Sequence, residues 1–310
     1  MNRERATAGP ILITGATGGL GRETALALAR SGNPLILAVR DLDRGEELAG
    51  VLRESCPGVA VSVRRADLSD LSSVRALAAE LVRERAFPRT IVCNAGLQVV
   101  DGIQRSPDGF ELTMATNVLG HVALLAPILD HLAPGSRVVT LGSETHQGGL
   151  RAFGFPPATW PGMPTLLDPP SGAPTGSTAG RVRYSTSKLA CIVLAYEIDR
   201  RWRGRGVRAV CFDPGLMPAT GLARQYPAAV RAVYSALTPL LVRLPGAKRV
   251  EESAEDLAWL ADSPDAEPLM GAYVGGRHAQ KSSALSWTDG LGAEVWDTCL
   301  AAAGTEPAGA

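Results

Sequence analysis

The stretch Pro10-Ile11-Leu12-Ile13-Thr14-Gly15-Ala16-Thr17-Gly18-Gly19-Leu20-Gly21 decides how this chain folds. Its apolar start predicts a buried parallel strand, which breaks into a glycine-rich turn. Strong helix formers follow over 23–29. A strand, such a turn and a helix are the setting of a dinucleotide site, because glycines let the backbone approach a pyrophosphate and the helix start offers free N–H groups. The residues predicted to bind the dinucleotide in this turn are Gly15, Thr17, Gly18, Gly19, Leu20 and Gly21.

The end of the second predicted strand, over 34–39, bears on which dinucleotide is bound. The residue there is Arg40. An acidic residue would hydrogen-bond the 2′-hydroxyl of NAD, whereas an arginine accommodates the 2′-phosphate of NADP. Arg22, just after the last glycine of the turn, would add a second contact. The sequence therefore favours NADP(H), although Asp41 next to Arg40 keeps NAD(H) open.

Strand and helix patterns alternate along the rest of the chain, which predicts an α/β fold around a parallel sheet. No linker divides them, so we expect a single domain over 1–310. The further predicted helices cover 42–55, 71–85, 110–132, 189–202 and 252–261. The further predicted strands cover 59–64, 90–93, 137–141, 207–212 and 271–275.

Several predicted strands end in polar or small residues, where an open sheet binds its ligand. Asp67 could bind the adenine amino group or cap the next helix. Asn94-Ala95-Gly96 allows close approach to a cofactor or to the neighbouring turn. Ser143 could polarise a substrate carbonyl, although serine at a strand end is also common turn chemistry.

The segment Tyr184-Ser185-Thr186-Ser187-Lys188 carries the acid–base chemistry. It precedes an apolar-periodic run that predicts a helix, and residues four apart share one helix face. Lys188 would lower the pKa of the Tyr184 phenol from about 10 towards the range of a general acid. Asn117 lies in an apolar neighbourhood, so its amide must bond either a water near Lys188 or only backbone. A surface tyrosine and lysine on an ordinary helix is the alternative.

Two long segments are predicted to surround a substrate. Residues 144–182 are rich in proline, glycine, serine and threonine, and a segment this long would form part of the wall or lid of the pocket. Residues 216–250 would supply a second lid, with a membrane-touching surface as the alternative. The candidate contacts in the first segment are His146, Phe153, Phe155 and Trp160, each of which could equally be loop packing. We expect flexible tails over 1–9 and 305–310.

Composition limits the class of protein. Lysine plus arginine equals aspartate plus glutamate, 31 each, so bulk charge gives no sign of a nucleic-acid partner. The five cysteines are scattered without metal-ligand spacing, which predicts no metal site and a reducing compartment. No apolar run reaches the roughly 18–20 residues of a membrane span. These patterns predict a reduced, cytoplasmic protein.

With these motifs in order, the chain resembles the short-chain dehydrogenase/reductase family over nearly its whole length. Gly18 and Gly19 are adjacent, so the first motif fits both TGxxxGxG and the TGxxGxxG of the extended, epimerase-type branch. Asn94-Ala95-Gly96 and Pro214-Gly215 favour the reductase branch. Within it, 38–41, 143–146, the long insertion and 214–222 resemble the retinol-dehydrogenase and protochlorophyllide-reductase group.

The resemblance implies a Rossmann-type doubly wound parallel sheet of about seven strands. It implies that Tyr184 is the acid–base group, Ser143 bonds the same substrate oxygen, Lys188 binds the nicotinamide ribose and Asn117 holds a water. The further cofactor contacts it implies are Asp67, Leu68, Asn94, Ala95, Gly96, Pro214, Gly215 and Thr220, and the substrate contacts are Ser143, His146, Tyr184 and Met217.

The same group typically uses NADP(H) and takes bulky apolar or polycyclic substrates. Protochlorophyllide reductases carry a cysteine two residues after the motif lysine, where this chain has Ala190. This favours carbonyl or alcohol chemistry. A C=C reductase, an extended-type NAD-dependent epimerase or dehydratase, and a non-catalytic dinucleotide sensor are the alternatives. A homodimer and a homotetramer both stay open.

Overall fold

The computed structural model describes residues 9–149, 152, 154–217 and 248–304. Within them the chain forms one eight-stranded sheet in the order β3-β2-β1-β4-β5-β6-β7-β8. The first seven strands of the chain run parallel, and β8 is antiparallel to β7. The strands are β1 Ile11–Thr14, β2 Leu35–Val39, β3 Val61–Arg65, β4 Thr90–Cys93, β5 Arg137–Leu141, β6 Arg208–Asp213, β7 Tyr273–Gly275 and β8 His278–Gln280.

Helices cover both faces of this sheet, as its parallel strands require. The described α-helices are α1 Gly19–Arg30, α2 Leu42–Ser55, α3 Leu71–Glu84, α4 Leu112–Met114, α5 Gly120–Leu125, α6 Met163–Leu167, α7 Ser177–Trp202, α8 Val250–Asp262 and α9 Leu291–Ala303.

The alternation of side chains along β1 shows how the two cores form. All four residues of this strand are buried. Ile11 and Ile13 join the apolar cluster with α1, α2 and α8, whereas Leu12 faces the cluster with α3, α5, α7 and α9. The order of the strands reverses direction between β1 and β4, and the carboxyl ends of these strands form the crevice where such sheets bind ligands.

The predicted α/β fold with a doubly wound parallel sheet is confirmed, with two differences. A strand does form within the predicted range 271–275, as β7, but it is not the final strand, because the three-residue strand β8 follows it. Helix α9 was also not predicted; its apolar side closes the core over α5, α6 and α7.

Two predicted helices have different bounds in the structure. The predicted helix over 110–132 is broken by a π-turn at Ala115–Leu119 and ends before Pro127, which has no N–H to continue it. The helix predicted to begin at Leu189 is α7, which begins at Ser177. Its first turns are polar in sequence, so apolar periodicity could not mark them.

Candidate active site

The turn after β1 has the features of a dinucleotide cradle. Helix α1 begins at Gly19, and its cap residue Gly18 makes no side-chain hydrogen bond to the first turn. The next two helices are capped by Asp41 and Asp70. No acidic residue lies in the first turn of α1. Its N–H groups and partial positive charge therefore suit an anionic pyrophosphate.

The same turn is packed against β4 too tightly for added atoms. Gly15 has φ +67°, a conformation that L side chains rarely adopt. A Cβ atom on Gly21 would lie 2.5 Å from Asn94 Nδ2 and 2.6 Å from Gly15 O. Asn94 Nδ2 in turn donates to Thr14 O at 2.8 Å. These contacts bring Asn94 and the glycine turn together, as expected for a shared cofactor site.

Three arginines lie in or close in sequence to the elements that form this turn. Arg40 is exposed directly after β2. Arg44, which the sequence reasoning missed, extends from α2 and donates to Thr17 O at 3.2 Å. Asp41 Oδ1 accepts the Arg44 backbone N–H at 3.2 Å and so caps α2. Arg22 pairs with Glu23 at 2.6 Å, which engages it in a local ion pair.

Asp67 lies at the end of β3, where it closes a local turn. Its Oδ1 accepts bonds from the backbone and hydroxyl of Ser69, at 3.0 and 2.6 Å. The suggestion that Asp67 caps the next helix is wrong, because Asp70 caps α3. Leu68 is buried beside it and packs against α5.

The turn after β6 lies at the same edge of the sheet. Gly215 N donates to Asp213 Oδ1 at 2.9 Å, and Pro214 O accepts the Ser253 hydroxyl at 2.5 Å. Met217 is half-buried against the core that contains α8. Thr220 and residues 218–247 of the predicted lid lie outside the described residues.

The three hydroxyl residues of the segment 184–188 each bond a different partner outside α7. Ser185 Oγ donates to Pro156 O at 2.8 Å, and Thr186 Oγ1 exchanges hydrogen bonds with the backbone of Thr159, both at 3.1 Å. Ser187 Oγ accepts from Asn117 Nδ2 at 2.9 Å. The three hydroxyl residues are buried, a role that their polarity concealed in the sequence.

Lys188 Nζ lies next to both Tyr184 and the end of β5. It donates to Leu141 O at 3.0 Å, two residues before Ser143. It also lies 5.6 Å from the centre of the Tyr184 ring. Gly96 is close by, since a Cβ atom on it would lie 3.7 Å from Nζ and 3.2 Å from Asn117 Oδ1. The structure thus brings these predicted residues together at one edge of the sheet.

The pKa of Tyr184 moves against the prediction. Burial raises it above its usual value, and the Lys188 ammonium opposes that rise only in part. For Lys188, burial disfavours the charge, but attraction to the negative charge that Tyr184 and other neighbours carry when deprotonated outweighs it and raises the pKa. At neutral pH the pair is therefore a neutral phenol beside an ammonium, the form that can donate a proton.

Asn117 lies in the π-turn, and its side-chain amide bonds Leu97 and Ser187. Its Oδ1 accepts from Leu97 N at 2.8 Å, and its Nδ2 donates to Leu97 O at 3.0 Å as well as to Ser187. The amide therefore bonds backbone and one hydroxyl within the protein. The predicted water on Asn117 is untested and stays a prediction.

His121, four residues after Asn117 in an apolar run, was not predicted as part of the site. Its Nδ1 lies 3.0 Å from Asn117 O and its Nε2 lies 3.0 Å from Thr14 Oγ1. Because a carbonyl can only accept, Nδ1 carries the proton and Thr14 donates to Nε2. Burial lowers the pKa of His121 to about 4, so the ring is neutral. It joins the first strand to the π-turn.

Ser143 stands at the carboxyl end of β5 in extended conformation. Its Oγ accepts the Thr145 N–H at 3.3 Å, which leaves the hydroxyl proton to donate. His146 is buried, and its two ring nitrogens bond Ser143 O at 2.6 Å and Ser283 N at 2.9 Å. Both ring nitrogens are thus engaged within the protein, and the predicted contact of His146 with substrate stays a prediction.

The predicted substrate contacts of the insertion, residues 144–182, separate into two kinds. Phe155 is half-buried, with its ring centre 6.0 Å from that of Tyr184. Trp160 points elsewhere, since its Nε1 donates to Glu294 of α9 at 3.0 Å. Phe153 lies outside the described residues. Phe155 is thus the aromatic side chain that stands beside the proposed acid–base group.

Neither a metal cluster nor a membrane-spanning helix occurs in the described residues. No group of three or more histidine, cysteine or carboxylate residues suited to a metal ion occurs in the described part of the chain. None of the helices described there has the length and apolar character needed to cross a membrane.

Comparisons with known proteins agree with this fold. The family model for short chain dehydrogenase matches residues 10–154. Retinol dehydrogenase 14 of Homo sapiens is 30% identical over 305 residues, which cover 93% of this chain and 84% of that protein. A Streptomyces sp. (strain C5) protein, provisionally named daunorubicin C-13 ketoreductase DnrU, is 32% identical over 298 residues, covering 95% and 92%.

A solved structure gives the same result for the fold. A crystal structure of an uncharacterised protein from Mycobacterium Paratuberculosis superposes with a TM-score of 0.69 at 28% identity, over 97% of this chain and 95% of that one. Oxidoreductases of this family use a nicotinamide cofactor, and the uncapped helix start, the tight glycine turn and the nearby arginines fit such a group. The chain belongs to the short-chain dehydrogenase/reductase family, in the branch of the retinol dehydrogenases.

Proposed function

We propose that this protein is an NADP(H)-dependent oxidoreductase that interconverts a carbonyl and an alcohol on a bulky, largely apolar substrate. The observation that carries this proposal is the position of Lys188. Its Nζ lies beside the Tyr184 ring and bonds Leu141 O at the end of the strand that presents Ser143. An acid and a cation therefore lie together next to the strand end that carries the hydroxyl of Ser143.

The roles of these residues follow from their chemistry. When bound, the nicotinamide supplies hydride for carbonyl reduction and accepts it in alcohol oxidation. Tyr184 donates its phenol proton to the substrate oxygen, and Ser143 donates a hydrogen bond to the same oxygen. Lys188 stabilises the resulting phenolate by its charge. Asn117 fixes the segment at Leu97 and Ser187 around this group.

The preference for NADP(H) over NAD(H) rests on the arginines. Arg40 is exposed directly after β2, where it could bind a 2′-phosphate. Arg44 extends from α2 to the glycine turn. Asp41, which would favour NAD(H), uses one carboxylate oxygen to cap α2. Two guanidinium groups beside one engaged carboxylate favour an anionic ribose substituent.

The class of substrate rests on Phe155 and on the relatives. A half-buried aromatic ring beside Tyr184 favours a flat or bulky apolar group next to the reacting carbon. One relative is named as a retinol dehydrogenase and the other as a daunorubicin C-13 ketoreductase. The predicted cytoplasmic location and the state of assembly stay predictions.

The proposed function is tested by NADPH consumption with a panel of polyene aldehydes, aryl ketones and polycyclic ketones. Wild-type protein should oxidise NADPH with at least one class. Tyr184→Phe should reduce kcat by about 10²–10⁴-fold, the usual contribution of general acid catalysis, with NADPH affinity nearly unchanged. Tyr196→Phe is the matched control, since its phenol on the same helix bonds Ser282.

Three results would contradict the proposal in different ways. Full activity of Tyr184→Phe would refute the role of the phenol. NADPH binding without turnover of any carbonyl would favour a dinucleotide sensor. A tightly retained NAD in the purified protein, without net consumption, would favour the epimerase or dehydratase alternative.

A further inference from the structure

The two nitrogens of His146 have fixed and opposite roles. Ser143 O is an acceptor, so the proton must lie on Nδ1. Ser283 N is a donor, so Nε2 must be unprotonated. The ring is therefore a neutral Nδ1–H imidazole that links the end of β5 to a segment 137 residues further along the chain.

Behind the ring lies a second buried contact. The His146 ring meets the edge of Tyr273 at 5.2 Å between centres and 78° between planes. Tyr273 Oη donates to Asp213 Oδ2 at 2.7 Å. The other oxygen of Asp213 accepts Gly215 N at 2.9 Å. Burial of all three side chains makes this a continuous path between two loops of the active-site edge.

We propose that His146 is a positioning residue that holds Ser143 at the end of β5, with Tyr273 packed behind its ring. The inference rests on the proposed function, in which Ser143 bonds the substrate oxygen.

The effect on Ser143 follows from its backbone. Ser143 O accepts two bonds from His146, one from the ring and one from the backbone N–H at 3.2 Å. These bonds restrict the peptide after Ser143, and that restricts where its Oγ can lie. A donor aimed at a developing charge loses much of its value when it is displaced by about 1 Å, which can cost about 10²-fold in rate.

Three substitutions separate the two bonds of the ring. In His146→Asn, the amide nitrogen occupies about the place of Nδ1 and can donate to Ser143 O. In His146→Gln, the longer amide can accept a hydrogen bond from Ser283 N but cannot donate one to Ser143 O. His146→Phe keeps the edge contact with Tyr273 and makes neither bond. We expect kcat to fall about 10- to 100-fold in the Phe and Gln variants. The Asn variant should have a kcat at least about fivefold higher than either of them. NADPH affinity should change less than about twofold.

A double substitution distinguishes positioning from a general loss of stability. In a Ser143→Ala background, His146→Phe should lower kcat by less than about twofold, because its partner is already removed. An equal loss in both backgrounds would overturn the proposal. So would a Gln variant that is as active as the Asn variant, or a Phe variant with wild-type kcat.

A measurement without turnover keeps this inference separate from the proposed function. Nitrogen NMR of the full-length wild-type protein at pH 7 should show His146 as the neutral Nδ1–H tautomer. An Nε2–H tautomer or a charged ring would overturn the proposal even if the enzyme is active. Ser283→Pro fits the local φ of −62° and removes the N–H that Nε2 accepts, so it should alter the His146 signal. If no carbonyl is reduced, the proposed function fails, whereas the predicted tautomer can still be observed.

Discussion

The cofactor turn, Gly15–Gly21, and the insertion, residues 144–182, are held in place by different kinds of contact. The turn is closed largely by backbone atoms of the strands beside it. Gly15 N donates to Ala38 O at 2.9 Å, and the Asn94 amide bonds the carbonyls of Thr14 and Gly15. Such contacts leave little room for change, because the Asn94 amide is held by two carbonyls of the turn and could move only by breaking those bonds.

The insertion is attached to the rest of the molecule mainly by side chains. Glu294 of α9 accepts from Trp160 Nε1 at 3.0 Å and from Met163 N at 2.7 Å. Ser185 and Thr186 of α7 bond its carbonyls. Its helix α6 packs three buried side chains, Met163, Leu166 and Leu167, into the core. The insertion, predicted as a wall or lid of the pocket, is therefore partly core, and its shape is set by residues far away in the chain.

The difference predicts separate effects of substitution in the two regions. An added atom in the cofactor turn should destroy cofactor binding, whereas a weakened anchor of the insertion should affect the substrate and spare the cofactor. The largest effects are expected in the turn and the smallest in the insertion.

The largest effect is expected for Gly21→Ala. Its Cβ would lie 2.5 Å from Asn94 Nδ2 and 2.6 Å from Gly15 O, so the turn and the Asn94 loop must move apart. We expect a loss of about 2–3 kcal/mol in the free energy of unfolding, by the usual cost of overpacking. We also expect NADPH affinity to fall at least about 100-fold, measured by titration of the bound nucleotide's fluorescence.

Gly50→Ala is the matched control for the cofactor turn. It lies in α2, and a Cβ atom there would meet nothing within 4 Å. Alanine in a helix should raise the free energy of unfolding by about 0.5–1 kcal/mol and leave NADPH affinity unchanged. If both glycine variants bind NADPH as the wild type does, close packing is not what shapes the turn.

The same comparison explains which features could be predicted from the sequence. The glycine turn, β1, β4 and β5 depend on local patterns, and the strands Thr90–Cys93 and Arg137–Leu141 have the predicted bounds. The start of α7 depends on Ser185, Thr186 and Ser187 being buried among distant carbonyls, which no local apolar pattern reveals.

The roles of single side chains depend on the same distant partners. His146 was expected at the substrate because it follows Ser143, but its partner Ser283 lies beyond any local pattern. His121 could have been suspected from its position one turn after Asn117, whereas its bond to Thr14 spans 107 residues. The direction in which the pKa of Tyr184 shifts also depends on how deeply the phenol is buried, and the spacing of Tyr184 and Lys188 in the sequence does not reveal that burial.

A smaller effect is expected for Arg40→Ala. Loss of an exposed guanidinium from a 2′-phosphate should weaken NADPH binding about tenfold, at the low end for charged hydrogen bonds, and change NADH binding less than about twofold. Arg30→Ala, at the exposed end of α1, is the control and should change neither affinity. Equal losses for NADPH and NADH would contradict the assignment of the phosphate to Arg40.

The smallest effect is expected for Glu294→Gln, which tests the insertion. The substitution keeps the shape but removes the charge and turns one acceptor into a donor that faces an N–H. We expect the free energy of unfolding in urea to fall by about 1–2 kcal/mol and the KM for the carbonyl substrate to rise a few-fold. NADPH affinity should stay unchanged, because Glu294 contacts the insertion and the cofactor turn is held by its own strands.

Asp297→Asn, one turn along α9, is the matched control. Asp297 pairs with Arg201 at 3.0 Å with 62% of its side chain exposed, and such pairs contribute about 0–1 kcal/mol. It should leave both KM and NADPH affinity close to wild type. If Glu294→Gln weakened NADPH and substrate alike, the insertion and the cofactor turn would behave as one unit. The contrast between a backbone-built turn and a side-chain-anchored insertion would then no longer describe how this enzyme separates its two binding sites.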